Sequence, residues 1–204
     1  MDKKKENRLK NKTRKLSIIE GSFYSVHEGF GIRYITPFAL VIGKNNPYTN
    51  AFIGILNSLP TLIGDLSQLY TYNFINGHGR KKLIASSIIL QSLMWFGIIL
   101  SGLLFFIFNY GSTFSLITLT IFCIFLYVFG SFIGPAWVSL MKDIVTVKRG
   151  DYFGRRNRIV GILVLVSSLI AGIILDYFET LNIFTGFLIL FSFAFIFRFI
   201  SGTL

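Results

Sequence analysis

Cysteine and histidine are scarce in this chain of 204 residues, which has one cysteine, Cys123, and two histidines, His27 and His78. A single cysteine excludes an internal disulfide framework and a cysteine-based metal site. The two histidines are too isolated in the sequence to indicate a metal site. The sequence also lacks a glycine-rich phosphate-binding loop with lysine. We therefore expect no resident metal or cofactor, no enzyme activity and no ATP-driven transport by this chain alone.

Long apolar runs are the main feature that the sequence does contain. Hydrophobic residues make up 53% of the chain and charged residues only 14%. The runs cover residues 17–43, 48–73, 83–108, 114–141, 159–176 and 181–204. Each is close to the ~20 residues that cross a bilayer as a helix, and a globular protein of buried helices is a poor alternative. The sequence predicts an all-α polytopic membrane protein, with a six-helix transmembrane domain over residues 17–204.

Acidic residues are few, nine against 20 basic ones, and the basic residues lie almost entirely in the amino-terminal tail and in alternate loops. They are Lys3, Lys4, Lys5, Arg8, Lys10, Lys12, Arg14 and Lys15 in the tail, Arg80, Lys81 and Lys82 in the second loop, and Lys142, Lys148, Arg149, Arg155, Arg156 and Arg158 in the fourth. The positive-inside rule then predicts a multi-pass cell-membrane protein with a basic cytoplasmic tail over residues 1–16 and both termini in the cytoplasm. A nucleic-acid-binding tail is the alternative, but no RNA or DNA motif accompanies the charge, so we expect no nucleic-acid partner.

The second apolar run has a polar stripe. At 100° per residue, its polar and small residues fall within an arc of about 120°, and the opposite face is apolar. The stripe includes Asn57, Thr61, Asp65 and Gln68. Unpaired amides and a carboxylate cannot face hydrocarbon. The stripe must therefore face another helix or a water-filled cavity, and the sequence leaves both options open.

The first apolar run has two distinct sides. Tyr24, His27 and Glu28 share one arc, whereas Gly21 and Gly29 belong to a row of small residues on another side. Small residues allow close contact between membrane helices, so that side should pack tightly on a neighbour. The polar side predicts a site for substrate or coupling ions.

Charged residues within the runs are the candidates for function. Acidic groups in a membrane can bind and release protons, which makes Glu28 and Asp65 candidates for proton coupling. Arg33 could hold an anionic substrate group, or it could pair with Glu28 or Asp65. Glu20 and Arg198 lie near the ends of their runs, and we interpret both as side chains that reach toward the membrane surface.

The third and sixth runs, residues 83–108 and 181–204, are the most apolar, and the sixth is crowded with phenylalanine. This pattern predicts peripheral helices that face lipid over much of their circumference. The other four runs should enclose any pathway. Because the third member of each group of three is the most apolar, the pattern is compatible with a three-plus-three internal repeat.

The second loop resembles a loop motif of the major facilitator superfamily, Gly-x-x-x-Asp-Arg-x-Gly-Arg-Arg/Lys. Gly79, Arg80 and Lys81 match the end of that motif, and Asn76 stands at its Asp position. The resemblance implies a loop that latches the two halves of a transporter.

The fourth loop resembles a longer pattern in the same superfamily, Pro-Ala-Trp…Asp-x-Val…Arg-Gly-x-Tyr-Phe-Gly-x-Arg-Asn. The matching residues include Pro135, Ala136, Trp137, Asp143, Val145, Arg149, Gly150, Tyr152, Phe153, Gly154, Arg156 and Asn157. Residues 17–204 then resemble an amino-terminal half of that fold. We expect Asp143 and Asp151 to pair with arginines of this loop, and Gly150 and Gly154 to allow a tight turn. Simple anchoring of the loop by its positive charge is the alternative.

The resemblance implies secondary transport of a small molecule by alternating access, with proton coupling as an option. Transporters of this superfamily combine two six-helix halves, and this chain provides one. We therefore expect a second six-helix half as partner, either a second copy of the chain or a separate chain. A non-transporting membrane scaffold or a truncated remnant is the alternative function.

Overall fold

The computed structural model describes the backbone of residues 3–204 and the side chains of residues 8–75, 77 and 79–204. Every regular element in this part of the chain is helical, as the sequence predicts. The helices are α1 (Lys3–Phe30), α2 (Ile35–Gly43), α3 (Thr49–Ser67), α4 (Thr71–His78), α5 (Arg80–Phe106), α6 (Ser112–Ile144), α7 (Arg149–Glu179) and α8 (Ile183–Thr203). Four of the described helices, α5 to α8, are long and apolar enough to cross a membrane.

The first two predicted spans are not continuous helices. A 3-10 turn over Ile32–Tyr34 separates α1 from α2, and a second one over Gln68–Tyr70 separates α3 from α4. Pro37 explains the first break, because a proline in an α-helix has no N–H for the carbonyl four residues earlier, which here belongs to Arg33. Pro37 itself is tolerated in the first turn of α2, where an N–H has no partner within the helix.

Six segments make up the bundle: α1 with α2, α3 with α4, and then α5, α6, α7 and α8. The fourth segment packs on the second and third, the first packs on the fifth and sixth, and the third packs on the sixth. When segment one is exchanged with four, two with five and three with six, each of these contacts becomes another contact of the same set. The main contacts between the two groups of three are therefore compatible with a three-plus-three repeat.

The small-residue side of α1 packs on α7, as predicted. A Cβ atom at Gly29 would collide with Ser167 of α7, and one at Gly21 would lie 2.8 Å from Nη2 of Arg156. Ser25 is fully buried beside them. The two helices can approach this closely because these positions carry so little side chain.

The third and sixth segments, which were predicted to face lipid over much of their circumference, each contribute one face to the core of this bundle. The core of the described chain takes one whole face of α8, which includes Phe187, Leu190, Phe191 and Ala194, and it takes Trp95 and Ile98 from α5. Other phenylalanines of α8, such as Phe193 and Phe199, are exposed. A high number of phenylalanines does not show how much of a helix faces lipid, because a helix that is apolar on all sides can bury one of its faces in the core.

The basic end of the bundle is held by arginines that bind other helices. The predicted boundary at residue 16 falls inside α1, and Arg14 donates a 3.0 Å hydrogen bond from Nη2 to the carbonyl of Ile144, at the end of α6. Arg149 donates from Nε to the carbonyl of Val145 at 2.8 Å. Cations at a helix carboxyl terminus satisfy its unpaired carbonyls and oppose its dipole.

The ion pair of Asp143 differs from the one expected within the fourth loop. Asp143 pairs with Arg80 of the second loop, with 2.7 Å between Oδ2 and Nη1. The tight turn does not use Gly150 or Gly154, which both lie in α7. Lys148 takes the left-handed conformation just before α7, with a φ of 51°. The turn therefore precedes the glycines, and α7 begins ten residues earlier than the apolar run.

Orientation can be tested at two exposed glycines. Side chains added at Gly77 and Gly111 would meet no atom within 4 Å, so cysteine should be accepted at both without loss of folding. In intact cells, an impermeant thiol reagent should label Gly111→Cys and not Gly77→Cys, because the basic loop should be cytoplasmic. The buried Cys123 should give no background. The reverse labelling pattern would contradict the orientation.

Candidate functional site

A cavity of 410 Å³ lies inside the bundle, between α1, α5, α6, α7 and α8. Much of its wall is apolar or glycine, mainly from α6. Eight of the side chains that line it are charged or carry a hydroxyl or amide group: Glu20, Tyr24, Glu28, Gln91, Tyr127, Ser131, Arg156 and Arg198. A mostly apolar pocket with a few convergent polar groups is the usual form of a small-molecule site.

Glu20 is at the centre of the charged groups. Its Oε2 lies 3.5 Å from Nη2 of Arg156, and its Oε1 lies 3.8 Å from Nη1 of Arg198. The hydroxyl of Ser201 donates to Oε1 at 3.0 Å. One carboxylate is thus shared between two guanidinium groups from different helices. Both ion-pair distances are longer than the ~2.7–2.9 Å of a close charge-assisted hydrogen bond.

Arg198 is buried, with 2% of its side chain exposed. Its Nε donates to Oε1 of Gln91 at 2.6 Å, and its guanidinium carbon lies 5.0 Å from the centre of the Tyr24 ring. Gln91 is oriented by its own hydrogen bond from Nε2 to the carbonyl of Leu126. The interpretation that Arg198 and Glu20 reach toward the membrane surface is therefore wrong. Both turn into the bundle, because Gln91 offers Arg198 a buried partner and Arg198 offers one to Glu20.

Arg156 extends from α7 across α1 into the cavity. Its Nε donates to the carbonyl of Ser17 at 3.3 Å, and its guanidinium carbon lies 4.4 Å from the centre of the Trp137 ring. Gly21 makes room for it, since any side chain there would collide with the guanidinium. Arg156 was predicted as a residue of the cytoplasmic loop motif, and the structure places it in the wall of the cavity.

Glu28 lines the same cavity and pairs with Arg33, with 2.9 Å between Oε1 and Nη2. Of the options that the sequence left open for Arg33, the structure therefore shows the pair with Glu28. The side chain of Arg33 is 54% exposed and that of Glu28 is 24% exposed. The pair therefore lies at the open edge of the cavity and leaves Glu28 accessible.

His27 lies behind the cavity wall. It is completely buried, with its ring 5.4 Å from the Trp95 ring in an edge-on contact and 5.8 Å from the Tyr24 ring. Neither ring nitrogen has a hydrogen-bond partner among the described residues. Of the three predicted residues on the polar side of α1, the structure thus brings Tyr24 and Glu28 to the cavity, and His27 packs in the core.

The polar stripe of the second run forms a separate surface. Asn57, Thr61 and Asp65 are exposed on α3, and neither they nor Gln68 lines the cavity. Asn57 accepts a 2.9 Å hydrogen bond from the hydroxyl of Thr36, and Gln68 donates to Asp65 at 3.2 Å. The stripe therefore makes mainly local contacts, and the described residues provide no other wall for it.

Sequence reasoning missed Gln91 as a site residue and gave Trp137 no role in a site. A signal for Gln91 was present, because it is an amide in the middle of an apolar run and needs a buried partner. Trp137 had no comparable signal, since only the fold places its ring beneath Arg156. Within the described residues, no group of histidine, cysteine, aspartate and glutamate side chains could hold a metal.

A second cavity of 350 Å³ lies on the other side of Glu20 and Trp137, which line both cavities. It is bounded by the amino-terminal part of α1 and by the basic ends of α5, α6 and α8, and Lys81 lies in its wall. Glu20 and Trp137 therefore separate the inner cavity from the basic end of the bundle.

The sequence matches no protein-family model and no curated protein, and the structure matches no solved structure. The geometry of the site therefore carries the argument for function.

Proposed function

We propose that this chain is one half of a secondary transporter, of the major facilitator type, that moves a small molecule by alternating access. The observation that carries the proposal is the cavity of 410 Å³ with ionisable side chains inside a bundle of apolar helices. Charged groups within membrane segments are costly, and they are typical of substrate and proton pathways. A bundle with only an anchoring role needs neither the cavity nor the charges.

In this proposal, all six segments cross the cell membrane and both termini lie in the cytoplasm. The first and second segments are then interrupted spans. Broken helices are common at the substrate sites of transporters, where unpaired backbone groups face a cavity and not lipid. The break at Ile32–Tyr34 lies at such a place, because Ile32 lines the cavity and Arg33 pairs with Glu28 at its edge.

The exposed stripe of α3 supports a second half as partner. Asn57, Thr61 and Asp65 lie beside exposed Leu62 and Leu66, which suit lipid contact. Polar groups at membrane depth need a protein wall or water, and a second six-helix half would supply it. Either a second copy of this chain or a separate chain could form that wall.

The two loop segments that resemble the superfamily contact each other. Arg80 of the second loop pairs with Asp143 and donates to the carbonyl of Ser139 at 3.0 Å, both in the carboxyl-terminal part of α6. This contact ties the second loop to the end of the fourth segment. It is the kind of charged link that could hold one end of a transporter half closed.

The test does not require knowledge of the substrate. Gly134 lines the cavity, and a side chain there would meet no atom within 4 Å, so Gly134→Cys reports access to the cavity without disturbing it. In a Cys123→Ala background, we expect impermeant thiol reagents to label Gly134→Cys from either face of sealed membranes. Alternating access also predicts that a condition that raises labelling from one face lowers it from the other.

The matched control is Ser92→Cys, since Ser92 is completely buried and does not line the cavity. It should not be labelled from either face. Labelling of Gly134→Cys from one face only, under all conditions, would contradict transport and favour the scaffold.

A further inference from the structure

Two guanidinium groups and one carboxylate meet at the closed end of the cavity. Arg156 and Arg198 both approach Glu20, and Glu28 at the open edge is already paired with Arg33. The closed end therefore carries a net charge of about +1 in an environment that is mostly protein. A buried excess charge of this kind is costly unless an ion of opposite sign completes it.

The arginines have capacity for a further acceptor. Arg198 uses Nε for Gln91 and Nη1 for Ser201 and Glu20, which leaves its Nη2 without a hydrogen bond to the described residues. Arg156 uses Nε for Ser17 and Nη2 for Glu20, which leaves its Nη1 without one in the same part of the chain. Arg198 is a cavity-lining side chain that is 98% buried, so this end of the guanidinium belongs to the pocket and not to the outer surface. Its orientation is fixed by Gln91 and by the Tyr24 ring.

We propose that Arg156 and Arg198 bind the carboxylate of a small organic monoanion, whose apolar body occupies the rest of the cavity. The proposal rests on the proposed function and names the substrate class. A single negative charge fits the excess of one positive charge, whereas a dianion would reverse it. The apolar part of the wall, which includes Leu126, Ile133 and the rings of Tyr127 and Trp137, suits a hydrocarbon body.

Glu20 is then an internal competitor for the arginines. It lies between them but makes no close contact with either, at 3.5 Å and 3.8 Å, whereas Arg33 approaches Glu28 to 2.9 Å and Arg80 approaches Asp143 to 2.7 Å. A ligand carboxylate can therefore bind the free ends of both guanidiniums while Glu20 keeps its hydrogen bond from Ser201. Removal of the negative charge of Glu20 should make anion binding tighter.

The experiment uses the intrinsic fluorescence of the full chain in a neutral detergent. The chain has two tryptophans, and Trp95 lies outside the cavity wall, so Trp95→Phe leaves Trp137 as a reporter beneath Arg156. The probes are cyclohexanecarboxylate, its uncharged analogue cyclohexanecarboxamide, and inorganic phosphate. We expect saturable binding of cyclohexanecarboxylate, with the carboxamide and phosphate at least about tenfold weaker.

Two variants separate a binding role from a structural one. Arg156→Gln should weaken binding of cyclohexanecarboxylate at least about tenfold, and Glu20→Gln should strengthen it by a similar factor. A structural ion-pair network would not give the second result, because loss of Glu20 would then leave binding unchanged or weaker. Size-exclusion profiles identical to that of the parent protein show that the variants are folded. If Glu20→Gln does not fold, Glu20→Asp should strengthen binding, because the shorter carboxylate lies farther from both arginines.

Equal binding of the acid and the amide, preferential binding of phosphate, or no binding of the acid would overturn the proposal. Because binding is measured without transport, its outcome is separate from that of the proposed function. Labelling of Gly134→Cys from both faces without carboxylate binding would contradict only the proposed substrate class. Carboxylate binding together with labelling from one face only would contradict the proposed transport and support the anion site.

Discussion

Replacement of Arg198 with leucine should lower the free energy of unfolding by about 3 kcal/mol. The substitution removes one of the two cations beside Glu20, and it leaves the amide oxygen of Gln91 in the interior without its donor. Groups buried without a partner cost more than the interaction that was lost. Unfolding of the purified protein by sodium dodecyl sulfate in mixed micelles gives the measurement.

The matched control is Arg155→Leu, which removes an exposed arginine of α7 and should change the free energy of unfolding by no more than about 0.5 kcal/mol. The double variant Arg198→Leu with Gln91→Leu should recover part of the loss, because the amide is then no longer left without its donor. If Arg198→Leu is as stable as Arg155→Leu, the buried network does not hold α1, α5 and α8 together.

The sequence predicted the helical fold well because the physics that sets it is local. Long apolar runs between basic loops must form helices if they are to lie in a membrane. The small residues of α1 predicted a close contact with a neighbouring helix, and the charges of the first run made Glu28 one of the possible partners of Arg33. These predictions needed only the positions of residues within one segment.

The site was harder to predict because it depends on which segments are neighbours. Glu20, Gln91 and Arg198 come from three segments that are far apart in the sequence, and none of them alone indicates the other two. Their separation along the chain contains no information about their contact in the bundle. Arg156 was misplaced for a related reason, since α7 begins at Arg149, ahead of its apolar run, and carries the arginine inward.

The structure also places the candidate residues for substrate and coupling at two separate locations. The candidate residues for substrate and coupling lay on the polar sides of the first two runs, but of these only Tyr24 and Glu28 line the cavity. Asp65 lies on the exposed stripe of α3 and bonds to Gln68. Of the two predicted coupling carboxylates, Glu28 is therefore the one whose position can link protonation to the contents of the cavity.

Replacement of Glu28 with glutamine should leave the protein folded and abolish proton-driven accumulation, while downhill exchange survives. The side chains of Glu28 and Arg33 are 24% and 54% exposed, and an ion pair exposed at the open edge of a cavity contributes at most about 1 kcal/mol to stability. Glutamine keeps the size and hydrogen bonding of glutamate but cannot bind and release a proton. Coupling should therefore be lost without loss of structure.

The measurement combines this substitution with cysteine labelling of Gly134→Cys. In the parent protein, the ratio of labelling from the two faces should differ between acidic and neutral buffer, because protonation of the coupling carboxylate shifts the balance between the two states. In Glu28→Gln the ratio should be the same in both buffers. Asp65→Asn is the matched control, since Asp65 does not line the cavity, and it should keep the response of the parent. If the response is lost in Asp65→Asn and kept in Glu28→Gln, Asp65 and the stripe of α3 are the site of coupling, and the partner half must close around that stripe.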